Sequence, residues 1–267
     1  MTAGIDVHVH LHPDKIAERA TSSISRFYNI EMDVSEGSVD RLLGIVRDTP
    51  ITDCVVHSVA VRASNVESIN DFIAKTCAEH SHFIGFMTLH QDYEDPEAEI
   101  DRAVGLGLHG IKLHPDTQAV NMDDPRLMRV YEIAERRGLP VTIHCGDYRY
   151  DYSHPRRLKR VLHEFPNLVV DAAHFGGWSV FDYALEFLED ESCFLDMSSS
   201  MRFLGPRRTR ELVEAYGIDR ILFGSDFPMW NPGEELERYR ALGFSEKDYE
   251  KMCWHNAERF LGMQIGE

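Results

Sequence analysis

DDPRLMRVYEIAERRGLPVTIHCG, residues 123–146, sets a helix signal directly against a strand signal. Leu127, Val130, Tyr131 and Ala134 recur at helical spacing on one face, and Gly138 follows as a stop. LPVTIHCG (139–146) is then almost continuously apolar, as expected of a parallel strand covered on both faces. That run ends on a histidine, His144.

The same unit recurs on both sides. IDVHVH (5–10), ITDCVVHSVA (51–60), HFIGFMTLH (82–90), GIKLHP (110–115), NLVVDAAHFGG (167–177), CFLDMSSS (193–200) and ILFGSDFP (221–228) bring the apolar runs to eight. Between them, VESINDFIAKTCAEH, PEAEIDRAVGLG, HPRRLKRVLHEFPN, WSVFDYALEFLED and RRTRELVEAYG carry helical spacing. Alternation of this kind with right-handed crossovers predicts an α/β chain closed as a single (β/α)8 barrel, a TIM barrel. An open doubly wound sheet would carry a Gly-rich phosphate loop after its first strand, and none is present. Residues 11–50 form the longest connection, with a helix expected near 38–48. A barrel loop of that length is expected to be a lid or a substrate-contacting element. No repeat or linker divides the chain, so 1–267 reads as one domain with a long loop and helix insertion at 11–50.

The chain carries 45 acidic against 28 basic residues, a formal charge of -17, which repels phosphate backbones and anionic membranes. A small molecule is therefore the expected partner, with no nucleic acid and no membrane; self-association stays open. Five scattered cysteines without a CxxC pair read as a reduced cytoplasmic protein. MTAGIDVHVH has no signal-peptide pattern, and no apolar stretch is long enough to span a bilayer.

Catalytic side chains of barrel enzymes sit at the C-terminal ends of the strands. His8 and His10 are two apart, so both rings project from the same face of the first strand. His144, His174 and Asp226 end the fifth, sixth and eighth strands. Each alone has an ordinary explanation: a core histidine bonded to a carbonyl, a loop contact, a helix cap. Together, five ligand-type groups converge on one cavity, and burying them without a metal or partners would be costly. Nitrogen ligands with one carboxylate suit zinc or a similar divalent ion. Lys112 and His114 share a face of the fourth strand, and Arg202 follows the seventh; these three are the candidates for substrate binding. Arg62, Arg149, Tyr150, Trp178 and Trp230 also follow strands, and His12, His57 and His90 are expected to be structural or to lie at the surface.

DVHVH, GIKLHPDTQ, the stretch 123–146, HFGG, ILFGSDFP and NAERFLG resemble the amidohydrolase superfamily. They are most similar to the "amidohydrolase 2" group that includes aminocarboxymuconate-semialdehyde decarboxylase-like enzymes. The resemblance implies one divalent metal, most often zinc, held by His8, His10, His144 and Asp226. It implies catalytic roles for His174, beside a metal-activated water, and for Asp226 in moving a proton. A second metal bridged by a carboxylated Lys112 is the binuclear alternative; nearer relatives imply one metal, with Lys112 on an anionic group of the substrate. The activity expected first is hydrolysis of an amide, ester or lactone of a small organic molecule. Non-oxidative decarboxylation of a small carboxylic acid is the alternative with the same ligand cage. A metal-free lactonase and a catalytically inactive binding barrel complete the set.

Overall fold

The computed structural model describes residues 4–266. Each of the eight apolar runs holds a strand: β1 Gly4–His10, β2 Ile51–His57, β3 Phe83–Thr88, β4 Gly110–Leu113, β5 Val141–Ile143, β6 Val170–Ala172, β7 Leu195–Asp196 and β8 Ile221–Leu222. β1 to β6 pair in parallel, in chain order, as one curled sheet; β7 and β8 pair in parallel with each other. This departs from a continuous eight-stranded ladder. Single bridges sit at the two seams, Asp171 with Phe194 and Val9 with Phe227. Backbone bonds flank them: Phe194 N to Val170 O at 2.7 Å, Val7 N to Phe223 O at 3.0 Å and Asp226 N to His8 O at 2.8 Å. A few residues beyond the ends of β7 and β8 the backbone leaves the extended region. Ser199 and Asp226 lie at φ 50° and 63°, a left-handed region that ordinary residues rarely occupy.

Helices cover the outside. α1 (Asp14–Tyr28) and α2 (Val39–Val46) fill the long first connection, and α3 (Val66–Glu79), α4 (Pro96–Gly105), α5 (Pro115–Gln118), α6 (Pro125–Arg137), α7 (Pro155–Glu164), α8 (Phe181–Leu188) and α9 (Met201–Tyr216) follow. α10 (Pro232–Arg240), α11 (Glu246–Glu250) and α12 (Asn256–Leu261) end the chain. The predicted stop of α6 is met at Gly138, whose φ is 63°. Asp95, Asp124 and Asn231 cap α4, α6 and α10, each followed by a proline at the start of the helix. The main apolar cluster lies between these helices and the sheet, with Ile111, Val141, Ile143 and Val170 at its centre. Along β1, Ile5, Val7 and Val9 alternate with Asp6, His8 and His10, the period-two pattern that gives one face to packing and the other to chemistry. No helix among the described residues is long and apolar enough to cross a membrane.

Candidate active site

The strand ends open on a cavity of about 660 Å³. One end is polar, lined by His8, His10, Lys112, His144, His174 and Asp226, with His114 beside them. The other end is lined by α1 and α3.

β1 delivers His8 and His10, and the turn after β8 delivers Asp226. Asp226 Oδ1 lies 3.5 Å from His8 Nε2 and 3.4 Å from His10 Nε2. Ligands about 2.0–2.1 Å from a tetrahedral zinc stand about 3.3–3.4 Å apart, so Asp226 Oδ1 stands from each of the two nitrogens close to the spacing of ligands on a shared ion. Asp226 Oδ2 accepts from Ser199 Oγ at 2.5 Å, and Trp230 Nε1 donates to that hydroxyl at 2.8 Å, which fixes the carboxylate plane.

The hydrogen-bond partners set the histidine tautomers. His8 Nδ1 donates to Asp196 Oδ2 at 2.7 Å, leaving the Nε2 lone pair toward the cavity, where Lys112 Nζ donates to it at 2.8 Å. A carboxylate behind an imidazole in this way both orients the ring and raises its basicity toward a metal. His144 Nε2 donates to Gly146 O at 3.0 Å, and His174 Nδ1 donates to Ser198 O at 3.0 Å. His144 Nδ1 and His174 Nε2 therefore face each other, 3.0 Å apart, as two lone pairs. Such a pair needs a shared cation or proton between or beside it. Burial resists the proton, since it takes His174 down to about 3. The donor set thus fits a divalent ion, and three His and Asp groups among the described residues lie close enough to hold one: His8, His10 and His57; His8, His174 and Asp196, which share His8; and, separately, His114, Asp116 and His144.

Electrostatics agree with this reading. Burial lowers His10 to about 3, so it is neutral and able to ligate at pH 7. Burial alone would raise Asp226, but His8, His10 and His174 overcome it and hold the carboxylate below its ordinary range. Lys112 is fully buried and burial draws it down from its ordinary value, opposed by Asp196, Asp226 and Asp171. His174 and Asp226 sit at φ 60° and 63°, a strained backbone at two of the residues singled out in the sequence.

Of the candidate substrate-binding residues, Lys112 and His114 line the cavity and Arg202 does not. The Arg202 guanidinium is committed to Asp33, to Glu234 and Glu235 at 3.4 and 3.3 Å, and to the Trp230 ring. His114 stacks on His144 with ring centroids 3.9 Å apart, and its Nε2 meets Tyr28 Oη at 2.7 Å. Three contributors were not singled out in the sequence. Asp196 and Ser198 lie in the CFLDMSSS run, where a lone Asp in an apolar strand was the available signal. His57 ends β2 in register with His10, is fully buried, and has no hydrogen-bond partner on either ring nitrogen. Its ring lies 4.5 Å from that of His10 and 5.0 Å from that of His8, so the residue expected to be structural or at the surface belongs to the same cluster.

A family model described as amidohydrolase matches residues 5–263. The chain belongs to the amidohydrolase family. It is an enzyme of that family, in the group that the strand-end motifs resemble. Its relatives include a 2-amino-3-carboxymuconate-6-semialdehyde decarboxylase of Dictyostelium discoideum, 26% identical over 237 residues; the match covers 73% of this chain and 66% of that protein's length. Two solved structures share the fold. An uncharacterised TIM-barrel protein of Bordetella bronchiseptica superposes with a TM-score of 0.76 at 21% identity, covering 97% of this chain and 98% of that one. A dihydroxybenzoic acid decarboxylase of Polaromonas sp. JS666, solved with manganese and the inhibitor 2-nitroresorcinol, superposes at 0.74 with 16% identity over 98% and 97% of the two chains.

Proposed function

We propose that this amidohydrolase is a metal-dependent, non-oxidative decarboxylase of a small organic acid. Hydrolysis, the activity expected first from the motifs, gives way to its alternative because the characterised proteins that this chain resembles are decarboxylases. The observation that carries the metal part is the position of Asp226 Oδ1, 3.4–3.5 Å from the Nε2 atoms of both His8 and His10. His8, His10, Asp226 and His144 through Nδ1 would hold the ion; zinc and manganese both suit this set of nitrogens and one carboxylate. We also read the bonded seams on either side of β7–β8 as closing one eight-stranded ring around the site.

When bound, the metal supplies Lewis acidity, drawing electron density from the acid and its neighbouring oxygen so that the carbon can carry charge as carbon dioxide leaves. The protein does the rest. Lys112 Nζ, buried at the polar end and freed from His8 Nε2 when that lone pair goes to the metal, would attract the substrate's anionic head. His174, whose Nδ1 donates to Ser198 O, presents the Nε2 lone pair, which would draw a proton from a water molecule and pass it to the carbon that lost its carboxylate, leaving hydroxide. Asp196 keeps His8 in the tautomer that presents Nε2. The test is a panel of aromatic and unsaturated acids, lactones and amides offered to the zinc- and manganese-loaded enzyme. Carbon dioxide is expected to appear mole for mole with acid consumed, and to be lost in Asp226→Asn. Water incorporation into product without carbon dioxide would return the site to hydrolysis.

A further inference from the structure

We propose that the α1 side of the cavity is a chamber for an apolar tail, so that the acid taken by this enzyme is a monocarboxylate with a sizeable alkyl or arylalkyl body. The inference rests on the decarboxylase reading of the polar end. Ile16, Ala20 and Ile24 recur every four residues along α1, with Phe27 one turn further, and all four line the cavity. They are only partly buried, whereas the residues that α1 gives to the interior are Ala17 and Thr21. The stripe is therefore not spent on packing; it faces the space that a ligand would fill. From the opposite side, Ile69 and Phe72 on α3 line the same space.

The wall is fixed. Arg149 stacks 4.8 Å from the Phe27 ring and 5.4 Å from the Tyr28 ring, Tyr28 Oη reaches His114, and Gly37 N donates to Thr21 Oγ1 at 3.0 Å. The volume of about 660 Å³ lies within the range of about 300–1,000 Å³ of pockets that enclose drug-sized ligands, and a single-ring acid would leave most of it empty. Charge sets the number of acid groups. Lys112 is the buried cation at the polar end; the second cation of the lining, Lys15, is exposed at the start of α1, and no arginine among the described residues lines the cavity.

The experiment titrates the manganese-loaded enzyme by calorimetry with straight-chain acids from butanoate to decanoate and with the matching dicarboxylates. Affinity is expected to rise about fourfold per methylene, which is about 0.8 kcal/mol per buried CH₂, with each dicarboxylate binding more weakly than its monoacid. Ala20→Phe and Ile69→Trp, filling the chamber from opposite walls, are each expected to flatten the rise while butanoate binding stays within twofold. Affinity independent of length in the wild type, or unchanged slopes in both folded variants, would overturn the chamber. A slope that survives metal removal, in an enzyme that releases carbon dioxide from no acid, supports the chamber and removes the decarboxylase. Carbon dioxide release with no slope leaves the decarboxylase and removes the chamber.

Discussion

His8, His10 and Asp226 stand on backbone pinned by the sheet, whereas Ile16, Ala20 and Ile24 stand on a helix pinned by a few side chains. At the polar end, β1 is held to β2 by its ladder and to the β8 turn by Asp226 N on His8 O. Asp6 adds a second tie, accepting from His8 N at 3.1 Å and Ser225 N at 2.9 Å. At the α1 end, the corresponding ties include one arginine over two rings, the Tyr28 hydroxyl on His114 and one hydroxyl bond to Gly37. Atoms that are to share the proposed ion tolerate errors of only tenths of an ångström, and the sheet can supply that precision. An apolar wall needs only shape, so a less tightly tied helix suffices.

The largest expected effect tests the rigid end. His10→Ala removes one nitrogen from the shared-ion geometry, and elemental analysis should find the metal lost and turnover reduced to background. Full metal content in that variant would break the division, because His10 would then act only as packing. Next comes His174→Ala, expected to keep the metal and to lower kcat by about 10²–10⁴-fold, the usual scale for a lost general acid or base. Loss of the metal in this variant would move His174 into the ligand set and favour a second ion. The smallest effect joins the two ends. Tyr28→Phe removes the hydroxyl that ties α1 to His114, and a net hydrogen bond of about 0.5–1.5 kcal/mol predicts a rise in KM of about two- to tenfold with kcat little changed. A kcat effect as large as that of His174→Ala would make Tyr28 part of the chemistry.

The difference between the ends also governs what the sequence reveals. Each strand writes itself as an apolar run, and a His or Asp at the end of such a run stands out; His8, His10, Lys112, His144, His174 and Asp226 were all visible in that way and all line the cavity. α1 was not visible as a helix, although α2 matches the helix expected near 38–48. Its apolar stripe is broken by Ser22, Ser23 and Ser25 and is diluted because it faces a cavity, so it lacks the dense spacing of a core helix. Arg202 misled because its position after β7 is local information, while the claims of Asp33, Glu234 and Glu235 on it come from distant segments. His57 was missed for the same reason: only the register of β2 on β1 puts it beside His10.

The left-handed residues at the strand ends have a consequence for how this enzyme can change. Glycine would relieve the conformational energy at His174, Ser199 and Asp226, at about 1 kcal/mol or more per position. Yet each carries a group that the proposed centre would use: an imidazole, the hydroxyl that steadies a carboxylate, and that carboxylate itself. Variants selected only for heat resistance would be drawn toward glycine at these three positions and would arrive at a sturdier but inert protein. Durable catalysts from this scaffold must gain their stability on the outer helices.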